Sequence, residues 1–347
     1  MSIAPLFAAL KAALAPAGWP WRANPLSGGA LAQLCAPGTT ARLFMAPGPR
    51  ADAPAELPAP EAADAFISAE APLDSLKRAA GLALRRAANR TVWSTCEAAG
   101  QRHNLSNRQS TPFCGPPRAM YLGQPKPAFL ALERALNARG VGLFAAITPV
   151  SALEHAKADR ADLLLIDAAP GVERAVAILS ALHRNSRTAA LPAIAVVGDD
   201  GAKIAGPLYA AGAALVCTNT DLPAAADWIC ALIRHTRKGA EAERALASWA
   251  DAGMADHAAA RGFRDVLAER LARQGAAFSA LQRLANPRQR NDAMAMTRRV
   301  LRPVDWVFAT GPDRLIVASP AYCQNAAPAI IARANQVLAH AGLAPAL

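Results

Sequence analysis

A chain of 347 residues is longer than one ordinary hydrophobic core serves, so two or three domains are expected. With 53% hydrophobic and 18% charged residues it is not a disordered chain, and a net charge of +11 points to an anionic partner such as a nucleotide, a nucleic acid or a membrane surface. The basic residues are scattered through an Ala/Arg-rich composition, so charge alone does not mark a nucleic-acid face.

The first sixteen residues are apolar and Ala-rich, but Lys11 interrupts them and no basic segment precedes them; an ordinary helix is expected rather than a signal peptide. The uncharged runs 23–41 and 315–332 are broken by Pro25, Pro37, Pro320 and Pro328, so neither is expected to cross a membrane. Cys35, Cys96, Cys114, Cys217, Cys230 and Cys323 form no CxxC pair and no Cys/His metal spacing, which fits free thiols in a cytoplasmic protein without a metal centre. Residues 40–45 and 65–67 read as short strands flanking a Pro-rich loop over 46–60, and 72–89 as a helix.

The polar, Pro/Gly-rich stretch 104–117 reads as a linker. After it, apolar strands alternate with helices: strands at 119–122, 142–147, 162–166, 193–197 and 214–217, and helices at 127–139, 150–158, 171–185, 202–211 and 222–236. Continuously apolar strands separated by helices imply a parallel sheet covered on both faces, and five such units predict a flavodoxin-like α/β domain over 118–238.

The texture of Asp162 to Asp167 and of Ala211-Gly212-Ala213 resembles response-regulator receiver domains. The resemblance implies a phosphoryl-accepting Asp at the end of the third strand, where Asp167 stands. It also implies an acidic pair after the first strand, a hydroxyl after the fourth and a Lys after the fifth. This chain has Gly123-Gln124-Pro125, Gly198 and Asn219 at those places, so Asp167 is expected to be a vestigial acceptor and a structural carboxylate. Residues 1–103 repeat the strand-helix texture weakly and are expected to be an eroded receiver-like domain.

Residues 239–250 read as a helical linker into a last domain, 251–347. That domain has an apolar helical stripe at Phe263, Val266, Leu267 and Leu271, then two short strands around Gly311 and a closing helix over 326–340. Arg302-Pro303-Val304-Asp305 precedes the first of these strands, and five residues separate Asp305 from Gly311-Pro312-Asp313-Arg314. An Arg fork can bond guanine O6 and N7 or two phosphate oxygens, and an Asp accepts from guanine N1 and N2, so an Arg and an Asp three apart form a compact guanine reader.

This spacing resembles the RxxD site and turn of the GGDEF (diguanylate cyclase) family, and the order of domains resembles its PleD/PopA group of bacterial cell-cycle regulators. The resemblance implies cyclic di-GMP bound by Arg302 and Asp305, with Arg333 of the closing helix as a third contact. It implies no catalysis, because Pro312 replaces the second glycine of the turn and Arg314 occupies a metal-carboxylate position. The segment between Ala276 and Arg299 reads as too short for the family's metal-binding strand and substrate helix. The fold expected is therefore α/β: flavodoxin-like receiver domains followed by a shortened GGDEF-like α+β domain. The function implied, as in the PopA-type adaptors, is recruitment of protein partners by a homodimer in the cytoplasm, at a cell pole, with no cofactor. The alternatives are a structural scaffold without ligand and a basic DNA-associated regulator.

Overall fold

The computed structural model describes residues 21–26, 29–36, 39–46, 63–68, 71–102, 115–158, 161–184, 188, 191–198, 201–237, 277–284, 286–301, 306–309, 312–320 and 326–343. Two compact units emerge: Met1–Leu34 with Ala41–Ala83 and Phe113–Lys238, and Cys35–Thr40 with Leu84–Pro112 and Gly239–Leu347.

The first unit is centred on five parallel strands, β5 (Arg118–Leu122), β6 (Gly142–Ala146), β7 (Leu163–Asp167), β8 (Ala193–Val197) and β9 (Leu215–Thr218), in the order β6-β5-β7-β8-β9. This is the flavodoxin-like order, with its switch point between β5 and β7, and it agrees with the sequence expectation. Every residue of β8 is buried, as a central parallel strand requires.

Four helices connect these strands: α2 (Pro127–Asn137), α3 (Pro149–Lys157), α4 (Val172–Arg184) and α5 (Ala205–Ala211). Helix α2 buries Phe129, Leu132 and Leu136, and α4 buries Ala175, Ile178, Leu179 and Leu182, the spacing of one apolar helix face. Proline opens both α2 and α3, where its missing N–H costs nothing, and Thr148 caps α3 by accepting from the Ser151 amide at 3.2 Å. Helix α5 stops at Gly212 in the left-handed region (φ 112°), where a Cβ would run into the His183 ring. A final helix, α6 (226–237), follows β9.

A second sheet precedes this one: β1 (Trp21–Leu26), β2 (Gly29–Ala36), β3 (Thr39–Ala46) and β4 (Ala65–Ser68), in chain order. β1 and β2 pair antiparallel with Leu26 opposite Gly29, whereas β3 and β4 run parallel. Strands β3 and β4 match the two expected, and β1 and β2 are additional. Pro25, which reads as a breaker, is tolerated because β1 is an edge strand. The expected loop over 46–60 and the linker over 104–117 fall mostly outside the described residues.

Helix α1 (Leu73–Arg102) begins where a helix is expected and runs well past residue 89. Ser75 Oγ donates to the Tyr209 carbonyl at 2.9 Å, and Arg78 Nη1 to that of Ala210 at 2.6 Å, so the start of α1 is fastened to the end of α5. Phe44, Ala63 and Phe66 belong to one hydrophobic core with Tyr121, Trp228, Ile229 and Ile233. The Phe66 ring meets the buried His235 imidazole edge-on at 5.3 Å, and His235 Nε2 is hydrogen-bonded to the Asp64 carbonyl.

The second unit contains β10 (Ala277–Arg283), α7 (Arg290–Val300), β11 (Trp306–Ala309), β12 (Arg314–Pro320) and α8 (Ala326–His340). The strands form an antiparallel sheet in the order β10-β12-β11. Leu284, Ala293, Val307, Leu315 and Leu338 make its core. The two strands around the turn and the closing helix stand where the sequence puts them.

The interval 276–299, read as too short for the resemblance's metal-binding strand and substrate helix, holds a strand, β10, and most of a helix, α7. A single turn of 3-10 helix, Pro287–Gln289, joins them, with Asn286 Oδ1 accepting from the Arg288 amide at 3.0 Å. The expected helical linker over 239–250 and the apolar stripe at 263–271 lie outside the described residues.

Candidate functional site

The carboxyl ends of β5 and β7 flank the switch point of the parallel sheet, where open α/β folds bind their ligands. A cavity of 320 Å³ opens there, between the loop after β5, the end of β7 and the first turns of α4. Asp167 is its carboxylate. The Asp167 side chain is only 2% exposed and pairs with Lys126 Nζ at 2.7 Å. It also accepts the Ala169 amide at 3.1 Å. Burial, then the neighbouring Asp167 charge, push the Tyr121 phenol far above its ordinary range, so Tyr121 keeps its proton.

Sequence reasoning sought a cation for Asp167 after the fifth strand, at Asn219. Asn219 follows β9 and donates its backbone amide to the Val197 carbonyl at 3.0 Å. The cation comes instead from Lys126, at the N-cap position of α2. The available signal was positional: strand order places the loop after β5 beside the end of β7, and Lys126 is the basic residue of that loop.

A divalent cation does not fit these residues. Among the described residues no group of three His, Cys, Asp or Glu side chains could hold one. At Gly123, within the stretch where the receiver resemblance implies an acidic pair, a Cβ would stand 2.7 Å from the Asp167 Cβ and 2.9 Å from Tyr121 Cε1, with φ at 155°. The Asp167 and Tyr121 side chains occupy the room a carboxylate would need. Asp167 is therefore the buried half of an ion pair whose lysine reaches solvent.

In the second unit the described part of the β11–β12 hairpin carries Pro312, Asp313 and Arg314 of the predicted residues. Asp313 is half-buried and lies 3.3 Å from Arg283 Nε and 3.9 Å from Arg314 Nε, and its carbonyl accepts the Leu284 amide at 2.7 Å. Pro312 and Arg314 are exposed. Arg333 is exposed on α8 beside the buried Ala334 and Leu338, as its flanking position predicted. Arg302, Asp305 and Gly311 lie outside the described residues.

Cys217 and Cys230 are buried free thiols and Cys35 is a partly buried one. Burial, with the Asp221 charge adding to it, pushes the Cys217 thiol up to about 12. Among the described residues no helix is long and apolar enough to cross a membrane.

No protein-family model matches the chain, and no curated protein matches it in sequence. Solved structures similar to it include a response regulator from Thermotoga maritima, at 18% identity, TM-score 0.30, covering 34% of this chain and 98% of that one. An orphan response regulator of H. pylori shares 12% identity at TM-score 0.29, covering 34% of this chain and 97% of its own. A response regulator in red light signaling of R. palustris shares 16% at TM-score 0.25, covering 29% and 78%. The flavodoxin-like fold rests on strand order and register rather than on these likenesses.

Proposed function

We propose that this chain is a non-catalytic effector of cyclic di-GMP, reading the dinucleotide with Arg302 and Asp305 ahead of the β11–β12 hairpin and with Arg333 of α8. Its output is recruitment of protein partners by a homodimer in the cytoplasm. The observation that carries the reading is the hairpin itself. β11 opens at Trp306, the residue after Asp305, and its antiparallel partner β12 opens at Arg314.

The state of the turn favours binding over synthesis. Two-metal phosphoryl chemistry needs unpaired carboxylates, and Asp313 has Arg283 and Arg314 within 4 Å. Pro312 contributes no N–H with which a backbone could approach a nucleotide. The Lys126–Asp167 pair supports, within this reading, a receiver-like unit whose carboxylate is held by a lysine rather than by a metal.

Calorimetric titration of the full chain with cyclic di-GMP tests the proposal. Micromolar binding that Arg302→Ala weakens by at least about tenfold is expected, as for a charge-assisted bidentate contact. Absence of binding to the wild type would leave a ligand-free scaffold.

A further inference from the structure

The cavity at the β5/β7 switch point has features that the Lys126–Asp167 pair does not use. Among the described residues, Arg174 on the first turn of α4 and Gln124 in the loop after β5 both line it with no hydrogen-bond or ion-pair partner. Its walls include Ile166 and Ile178, and its lip is Ile147, a large apolar side chain left 70% exposed. A few convergent polar groups over an apolar wall is the usual anatomy of a small-molecule site, and 320 Å³ is at the small end of the range.

Charge decides the class of ligand. Lys126 and Asp167 cancel one another at 2.7 Å, which leaves the Arg174 guanidinium as the one uncompensated charge among the lining residues. A guanidinium fork matches a carboxylate in a bidentate manner. The Gln124 amide can donate to the same head group, and Ile147 would cover an apolar body.

We propose that this cavity binds a small organic monocarboxylate, its head on Arg174 and Gln124 and its apolar body against Ile147, Ile166 and Ile178. The site is non-covalent, needs no metal, and is independent of the cyclic di-GMP reading, since it shares no residue with Arg302, Asp305 and Arg333.

Amide correlation spectra of the isotope-labelled full chain, titrated with benzoate, acetate and benzyl alcohol, test it. Benzoate is expected to give saturable shifts at Gly123, Gln124 and Arg174, at an affinity about tenfold above those of acetate, which lacks the body, and benzyl alcohol, which lacks the charge. Arg174→Gln should weaken benzoate by about tenfold. Ile147→Ser should weaken it by about fivefold and leave acetate unchanged. Both side chains are exposed, so neither variant threatens the fold. Non-saturable shifts, benzoate binding unchanged in Arg174→Gln, or benzoate no tighter than acetate would each overturn the proposal.

Discussion

Replacing Lys126 with Met removes the counter-charge of Asp167 while keeping the length of an apolar stem. Two unit charges 2.7 Å apart attract by about 6 kcal/mol at an effective dielectric constant of about 20. That gross figure is reduced because the lysine side chain is 38% exposed, is partly screened, and loses rotamer freedom when held. The variant retains a carboxylate that is 2% exposed, with the Ala169 amide as its remaining hydrogen-bond partner. Stranding such a charge is the larger part of the cost, and a net loss of about 2 to 3 kcal/mol is expected.

The assay is native-state hydrogen exchange at the buried amides of β7 and β8, which reports this unit rather than the whole chain. The loss corresponds to protection factors falling about 30- to 150-fold. Asp167→Asn should cost less, since Lys126 can turn to water, and the double variant should cost little more than Asp167→Asn alone. A coupling energy of at least about 1.5 kcal/mol is therefore expected across the cycle. Additive effects, or a Lys126→Met loss below about 0.5 kcal/mol, would show that the pair is a surface contact and refute the reasoning.

Gly123→Ala should destabilise the same amides by about 2 kcal/mol through its contacts with Asp167 and Tyr121, and Gly123→Asp should do so without creating magnesium affinity measurable by calorimetry. Cys217, with its thiol near 12, should resist iodoacetamide at pH 8, where roughly one molecule in 10⁴ carries the thiolate, and peptide mass spectrometry should find it alkylated only after denaturation. Cys217 and Tyr121 both hold their protons more tightly folded than unfolded. The folded state therefore binds more protons than the unfolded one above pH 9, and stability should fall as pH rises, by up to about 1.4 kcal/mol per pH unit from each group. Urea midpoints rising between pH 9 and pH 11 would contradict this.

The parallel sheet was legible because its signal is local and redundant. Runs such as Leu163–Asp167 and Ala193–Val197 are apolar throughout, and Pro127 and Pro149 mark helix starts. β1 and β2 were not legible. Pro25 and Gly29 signal breaks, and only the pairing of β1 with β2 shows that an edge strand carries the first and a strand start the second. β10 and α7 were not legible because the interval 276–299 was measured against the resemblance's own strand and helix, while a seven-residue strand and most of an eleven-residue helix fit in it. At the site, Asp167 could be placed at its strand end from sequence, but its partner could not. Lys126 and Asp167 are far apart in the chain, and strand order alone brings them together.

The core that joins Phe44 and Phe66 to Trp228 and Ile233 also sets where this chain can be cut. A fragment of 113–238 alone would lack the aromatics that cover its last helix, and the buried His235 would face water. Any excised version of the parallel sheet therefore has to carry β3 and β4 with it.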